Sequence, residues 1–270
     1  MITVELRKLL RRPRTWVVIG LLDALPTLVA VLLALTDVGP RPGEGPAFLS
    51  AVLANGRLFP AAALAIVLPL FLPVSVAVVA GDAIAGEAQA GTLRYLLARP
   101  VGRTRLLVAK LVATLAFVFL AVVVVTVTAY FVGTRLFGNE PLAVTTSVSG
   151  TPLTPREAVA RTLLTMVYVA LSMLAVAAAA LFLSTVTDSP LAAALGALTI
   201  LVTSTLLLTL DAARALQPYL PTRYWLSFVD LFRQPILWRD VLRGVGLQAV
   251  YVVVLLGAAW ANFTTKDVKS

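Results

Sequence analysis

Long uncharged apolar runs are the main pattern of this chain of 270 residues. Six runs are each about 20 residues long, the length that a helix needs to cross the hydrocarbon layer of a membrane. They cover residues 15–35, 58–80, 111–131, 163–183, 191–210 and 245–263. Segments such as AVVVVTVTAY are apolar on every side, whereas membrane β-strands alternate polar and apolar residues. The pattern therefore predicts an all-α membrane protein, with six transmembrane helices in a single domain of residues 1–270.

The composition agrees with this class and excludes several kinds of chemistry. Hydrophobic residues make up 60% of the chain and charged residues 13%. The net charge of +9 is better matched to anionic lipid headgroups than to nucleic acid, because such long spans keep the basic residues beside the membrane. There is no cysteine and no histidine, which removes disulfides, thiolate chemistry and imidazole metal sites. No metal site is expected.

The first 14 residues predict a helix that lies on the membrane surface. Apolar and basic side chains fall on different sides of this arm; the apolar ones are Ile2, Leu6, Leu9 and Leu10, and the basic ones are Arg7, Lys8, Arg11 and Arg12. Such an amphipathic segment favours the interface between lipid and water, and Pro13 then turns the chain into the first span. A cleaved secretory signal fits less well, because the following apolar run is too long and contains Asp23.

The charges near the spans predict the orientation. Five basic residues precede Trp16, which places the N-terminus in the cytoplasm by the positive-inside rule. Six spans return the C-terminus to the same side, and residues 81–110 become a cytoplasmic loop. Counted over all segments outside the spans, the arm included, the bias in basic residues is slight, with 12 on the cytoplasmic side and 10 on the outer side, so the orientation depends mainly on the N-terminal arm.

Residues 211–243 predict amphipathic structure at the outer face before the last span. This segment is rich in Tyr, Trp and Phe, which favour the membrane–water boundary. We expect two short helices, one of them beginning at Thr222 and ending near Pro235. The segment is either an interfacial anchor or a lid over a substrate path. A separate expectation is that Pro60, Pro69 and Pro73 bend the second span.

Motifs for chemistry on this chain are missing. ATP-binding loops need Gly-x-x-x-x-Gly-Lys-Ser/Thr, and the nearest approach has Gly81 and Gly86 but Glu87 in place of the lysine. Intramembrane hydrolases need a serine with a base, or paired aspartates, at membrane depth. The six apolar runs contain one charged residue, Asp23. This aspartate either pairs structurally with a hydroxyl or an arginine, contacts a substrate path, or relays protons.

The most polar insert between two apolar runs contains a short predicted helix. Thr92 can cap its start, a three-leucine face follows at Leu93, Leu96 and Leu97, and Pro100 ends it. A helix of under two turns is marginal in water and must dock onto something to stay folded. Its apolar face either lies on lipid or the ends of its own spans, or it fits another protein in the cytoplasm.

This insert resembles the first cytoplasmic loop of the permease subunits of ABC-2 type transporters, also called type V ABC exporters. The matching residues are Glu87, Gly91, Thr92, Leu93, Leu96, Leu97, Pro100, Arg103 and Lys110. The six spans, the amphipathic arm and the outer helices extend the resemblance over essentially the whole chain. One departure is Gly102, where many members have Ser, which affects a local helix cap.

The resemblance implies a function and a set of partners. In that family the loop is a coupling helix that docks into a cleft of a separate ATPase. By that likeness two copies of a cytoplasmic ABC ATPase bind here, ATP and Mg are held by that partner, and this chain has no cofactor and is not an enzyme. The implied coupling residues are Asp82, Glu87, Gly91, Thr92, Leu93, Leu96, Leu97, Pro100 and Arg103.

The resemblance also implies where a substrate passes. A homodimer or pseudo-homodimer of permeases would form the path from the first, second and fifth spans, where Asp23, Thr203, Ser204 and Thr205 are the polar residues to watch. The expected location is a bacterial cell membrane, and the substrate is an exported or flipped molecule of unassigned identity. Two other classes stay open: a secondary transporter or channel without an ATPase, and a membrane scaffold that transports nothing.

Overall fold

The computed structural model describes residues 1–36, 56–92, 102–138 and 153–265. Over these ranges the chain is helical and contains no β-strand, which confirms the all-α membrane class. The α-helices are α1 Ile2–Arg11, α2 Pro13–Thr36, α3 Phe59–Val67, α4 Phe71–Gln89, α5 Arg103–Leu136, α6 Pro155–Val186, α7 Pro190–Thr209 and α8 Trp238–Thr265. Short 3₁₀ helices cover Gly56–Leu58, Asp211–Ala213, Gln217–Tyr219 and Trp225–Phe232. Within the same ranges, α2 and α4 to α8 are the six helices long and apolar enough to span a membrane.

Several transmembrane helices are longer than the apolar runs from which they were predicted. Helix α5 has 34 residues, and α4 continues to Gln89. The expected loop of residues 81–110 is therefore wrong at both ends, because its first nine residues belong to α4 and its last eight to α5. In the same way α8 begins at Trp238, inside the segment predicted as residues 211–243. Apolar runs report the hydrocarbon layer alone, whereas a helix can continue into the headgroup region with its polar side chains.

The second span is broken, as its prolines predict. Residues 68–70 form a turn between α3 and α4, with Pro69 inside the turn and Pro73 in the first turn of α4. Helix α3 has nine residues and is therefore about 14 Å long, so the break falls near the middle of the membrane.

Helix α6 is the centre of the bundle. It is the most buried of the six spans and packs against α4, α7 and α8. Its buried run Ala175–Leu181 consists largely of alanine, and α4 and α7 also present alanine and glycine at their contacts. Small residues let transmembrane helices approach closely, which is how such helices associate without a hydrophobic driving force between them.

One close approach joins the short helix Gly56–Leu58 to α5. A Cβ atom added to Gly56 would overlap the Gly133 carbonyl group, and one added to Gly133 would lie 2.5 Å from the Phe59 Cβ. We expect Gly56→Ala to lower the stability of the protein by about 1–3 kcal/mol, since backbone atoms cannot move aside cheaply. Thermal unfolding in detergent measures this. Gly20→Ala is the matched control, because no atom lies within 4 Å of its added Cβ; equal destabilisation by both changes would contradict the prediction.

The segment before α8 differs in detail from its prediction. Where two short helices were expected, the described chain has three 3₁₀ helices, of which Trp225–Phe232 falls inside the predicted 222–235 range. The side chains of Trp225, Phe228 and Phe232 are buried against the protein. Hydrogen bonds also fasten the segment, with Gln248 Nε2 of α8 donating to the Pro221 carbonyl oxygen at 2.8 Å. Three of the six aromatic residues of the segment thus serve as core, whereas Tyr219 and Trp238 are exposed, and the choice between anchor and lid stays open.

Helix α1 forms where the arm predicted it, and Arg12 breaks it with an extended backbone before Pro13 begins α2. The buried residues of α1 are Glu5 and Leu9, whereas Ile2 and Leu10 are exposed. The helix therefore packs one side onto α5 and leaves other apolar side chains uncovered. We call the side of the bundle that carries α1 the N-terminal face. The ends of α4, α6 and α8 and the beginnings of α5 and α7 lie at this face.

Candidate functional site

A buried lysine holds three helices together at the N-terminal face. Lys110, near the beginning of α5, is only 6% exposed. Its Nζ lies 2.9 Å from Glu5 Oε2 on α1 and 3.2 Å from Glu87 Oε1 on α4. A cation removed from water is costly unless it is paired, and two carboxylates compensate for that cost here. Lys110 therefore links α1, α4 and α5.

Lys8 joins the same carboxylates from the solvent side. Its Nζ lies 3.0 Å from Glu87 Oε1 and 3.6 Å from Glu5 Oε1. Partial burial lowers the pKa of Lys8, but the hydrogen bond to Glu87 and the charges of Glu5 and Glu87 outweigh it, so the pKa lies above its ordinary value. The side chain is charged at neutral pH, and the four residues form a network of two cations and two anions. We call Glu5, Lys8, Glu87 and Lys110 the ionic cluster.

Glu87 also fixes the end of its own helix. Gly91 has a φ of 68°, a conformation that glycine adopts without strain, and the N–H of Thr92 donates to the Glu87 carbonyl oxygen at 2.9 Å. Together with the Gly91 N–H bond to the Ala88 carbonyl, this is a Schellman ending of α4. The Thr92 hydroxyl donates to the Glu87 carboxylate as well. Gly91 and Thr92 thus end the preceding helix, a role that the sequence pattern did not reveal.

A second group of charges lies beside the ionic cluster. Arg12 Nη1 is 3.2 Å from Asp82 Oδ2 on α4, and Arg14 Nη2 contacts the same oxygen. Between α1, α2, α4 and α5 there is a cleft of about 520 Å³. The charged side chains of both groups line this cleft together with apolar residues of α2 and α4.

The other end of the predicted coupling segment is attached to α8. Arg103 opens α5, and its Nη1 donates to the carbonyl oxygens of Phe263 and Thr264 at 3.0 and 3.1 Å. These carbonyls belong to the last turn of α8, where a helix has no backbone donors left for them. Gly102 is the N-cap of α5 and makes no side-chain cap bond, since glycine has no side chain.

A serine on α6 clamps the same region of α4. Ser184 is buried, and its hydroxyl donates to the Gly81 carbonyl oxygen at 2.7 Å and accepts from the N–H groups of Ile84 and Ala85. This end of α4 is therefore held from one side by the ionic cluster and from the other by the central helix.

The structure brings together the predicted coupling residues that it describes. Asp82, Glu87, Gly91, Thr92 and Arg103 all lie at the N-terminal face. The remaining predicted coupling residues lie outside the described residues; they are Leu93, Leu96, Leu97 and Pro100. Their roles stay predictions.

The predicted substrate-path residues have different surroundings. Asp23 lies beside Thr128 of α5, and its Oδ1 is buried without a hydrogen-bond partner within the described ranges. Ser204 is buried and shares a 2.6 Å hydrogen bond with the Thr222 hydroxyl, so it fastens the segment before α8. Thr203 and Thr205 are exposed on α7.

Sequence reasoning missed the two members of the ionic cluster on the N-terminal arm, Glu5 and Lys8. Glu5 stands four residues before Leu9, so it falls on the side of α1 that packs inward. An acid on the packing side of an amphipathic helix is the signal that could have predicted a buried ion pair. The arm was interpreted as a membrane-surface helix, and for that reason Glu5 was not assigned a partner.

One family model matches the chain. Residues 47–268 match the family described as "Protein of unknown function (DUF2705)", and because this covers more than half of the chain, the protein belongs to that family. No curated protein matches it. The matched range contains α4 and α5 with Glu87 and Lys110, and it begins after α1 and α2.

Proposed function

We propose that this DUF2705 member is the membrane subunit of an ATP-driven exporter or flippase, and that a separate ATPase docks on the segment between Thr92 and Gly102. Two permease copies would bind two ATPase copies. The single observation that carries the proposal is the position of Glu87, the acidic residue of the motif. It contacts the beginning of the proposed docking segment, the N-terminal helix and the third long span at the same time.

The contacts of Glu87 supply a route for motion. Its carbonyl and carboxylate oxygens bind Thr92, and its carboxylate also binds Lys8 of α1 and Lys110 of α5. A force applied to the segment after Thr92 is therefore transmitted to α1, α4 and α5. Because Lys110 is buried, its bond to Glu87 resists separation more strongly than an exposed ion pair does.

The other end of the segment has its own attachment. Arg103 ties the beginning of α5 to the last turn of α8 through two carbonyl oxygens. Helix α8 packs along α6, the central span. Movement of the docking segment would thus be transmitted to α1, α4 and α5 through Glu87 and to α8 and α6 through Arg103. Coupling of ATP hydrolysis to a substrate path requires such a transmission.

The remaining parts of the proposal follow from the resemblance. ATP and Mg belong to the partner, because the chain contains no phosphate-binding loop. The N-terminal face is the cytoplasmic face of a bacterial cell membrane. The path between protomers uses the first, second and fifth spans, with Asp23, Thr203 and Thr205 as candidate contacts.

Purification of the tagged full chain from its native membrane tests the proposal. We expect a nucleotide-hydrolysing subunit to co-purify in equal stoichiometry, and we expect ATP turnover in the complex but none in the isolated chain. The control is a variant of the partner that lacks its phosphate-binding lysine, which should keep the complex and lose turnover. Transport by the isolated chain in vesicles, or turnover by the chain freed of contaminants, would contradict the proposal.

A further inference from the structure

The cleft at the N-terminal face has the size and composition of a ligand site. Its volume of about 520 Å³ lies in the range of small-molecule pockets. Four cations and three anions line it; they are Lys8, Arg12, Arg14 and Lys110, and Glu5, Asp82 and Glu87. These charges form two groups. In the ionic cluster two cations face two anions, whereas in the other group the cations outnumber the anions.

The unbalanced charge is at the arginines. Lys8 and Lys110 are matched by the two glutamates of the ionic cluster. Arg12 and Arg14 instead converge on one oxygen of Asp82, so two guanidinium groups share one carboxylate. Their side chains are 47% and 54% exposed, which leaves N–H donors accessible from the cleft. A guanidinium presents its donors in a planar fork that fits a phosphate group.

The walls of the cleft become apolar towards the membrane. Val18 follows Arg14 by four residues on α2, and Val78 precedes Asp82 by four residues on α4. At 1.5 Å per helical residue these valines lie about 6 Å deeper than the charges. Val79 completes the apolar wall, and the Val78 side chain is 40% exposed. A free phosphate ion would contact only the charged rim of the cleft. A phospholipid would contact the charged rim with its headgroup and the valines below it with an acyl chain.

We propose that this cleft binds one anionic phospholipid, with its phosphate diester on Arg12 and Arg14 and an acyl chain along Val18, Val78 and Val79. Asp82 occupies the two guanidinium groups when the lipid is absent and competes with the phosphate. The bound lipid would connect the junction of α1 and α2, and α2 itself, to α4 at the membrane surface. This inference does not depend on the proposed transport function, because every residue in it belongs to a single chain.

The first test compares two double variants with the same loss of charge. The purified full chain in detergent is titrated with phosphatidylglycerol, and the bound lipid is counted by native mass spectrometry. Arg12→Gln with Arg14→Gln should weaken binding about tenfold or more, because both phosphate contacts are lost. Arg7→Gln with Arg11→Gln is the matched control on the same arm, outside the cleft lining, and should change binding by less than about threefold. Equal loss in the two pairs would overturn the proposal, since that is the behaviour of general attraction to a basic arm.

A second variant separates lipid binding from folding. Asp82→Asn breaks the same ion pairs as the arginine changes, but it frees both guanidinium groups. We expect it to strengthen phosphatidylglycerol binding about threefold, whereas a cleft that only needs its ion pairs to fold would lose binding. Phosphatidylcholine should bind more weakly than phosphatidylglycerol to the unchanged chain. Glycerol phosphate at the same concentration should not displace the lipid; displacement would overturn the assignment to a lipid in favour of a free phosphate ester.

Discussion

Replacing both Leu96 and Leu97 with Asp is expected to abolish co-purification of the ATPase while the membrane subunit still inserts and folds. The change removes apolar contact area and forces carboxylates into a desolvated interface with the ATPase. It should weaken the free energy of association by an amount on the order of several kcal/mol. The spans are unchanged, so the yield and thermal unfolding of the membrane subunit should stay as in the parent chain. The measurement is the amount of ATPase retained on the tagged chain after washing.

Arg94 lies between Leu93 and Leu96 in sequence, off the three-leucine face of the predicted helix, and Arg94→Glu is the matched comparison for the leucine change. A charge at the rim of an interface is screened by salt and contributes about 1 kcal/mol or less to the free energy of association. Retention of the ATPase should therefore fall slightly at low salt and be unaffected at high salt. Equal loss of bound ATPase in the two variants would show that charge, and not the leucine face, stabilises the interface. Intact binding in the leucine variant would show that the leucines lie on lipid.

Lys110→Met is expected to destabilise the protein by about 3–5 kcal/mol. The substitution leaves Glu5 and Glu87 in a desolvated site without their buried partner, which costs far more than the loss of an exposed pair. Unfolding followed by the fluorescence of the native tryptophans measures the effect as a lower Tm. Transport assays are not needed, so this test is independent of the proposed function.

Lys8→Met is the control for the buried lysine. It removes the same charge from the same two carboxylates, but the Lys8 side chain is 39% exposed and that of Lys110 is 7% exposed. Water replaces the lost cation at Lys8, and the expected cost is about 1 kcal/mol or less. Adding Glu5→Gln to Lys110→Met should recover part of the stability, because only Glu87 then remains as a buried acid and Lys8 still pairs with it. Equal Tm shifts in both lysine variants would show that burial does not determine how much each lysine of the ionic cluster contributes to stability.

The sequence predicted the number, order and type of the spans, because apolar length decides whether a helix can cross a membrane. Agreement was best where a proline stands just before the apolar run. Pro13 and Pro190 open α2 and α7, and these helices begin within two residues of the predicted positions. Where no proline stands just before the apolar run, as in α5 and α8, the helix continues into the headgroup region and the predicted boundaries were wrong by seven or eight residues.

The candidate site was only partly predictable. The motif indicated Glu87 and Thr92, since they precede the leucines of the predicted short helix, but pairing is decided by tertiary packing. Nothing in local spacing says that Glu5 meets Lys110, 105 positions away. The same applies to Ser204, whose bond to Thr222 could not be predicted from spacing, while its place near a substrate path stays a prediction. Short hydroxyl side chains within apolar helices are equally suited to both roles, and only the neighbouring segment decides between them.

The break between α3 and α4 has a consequence for how the second span can move. Bending a continuous helix inside a membrane uncovers amide hydrogens to lipid, where no water can satisfy them. Here two of the residues at the break, Pro69 and Pro73, have no amide hydrogen to uncover. The joint can therefore flex in a dry environment with fewer unpaired donors than an ordinary helix would show. In hydrogen–deuterium exchange, these two positions would carry no exchangeable amide, so motion at this break would be followed through the neighbouring amides of Leu70, Phe71 and Leu72.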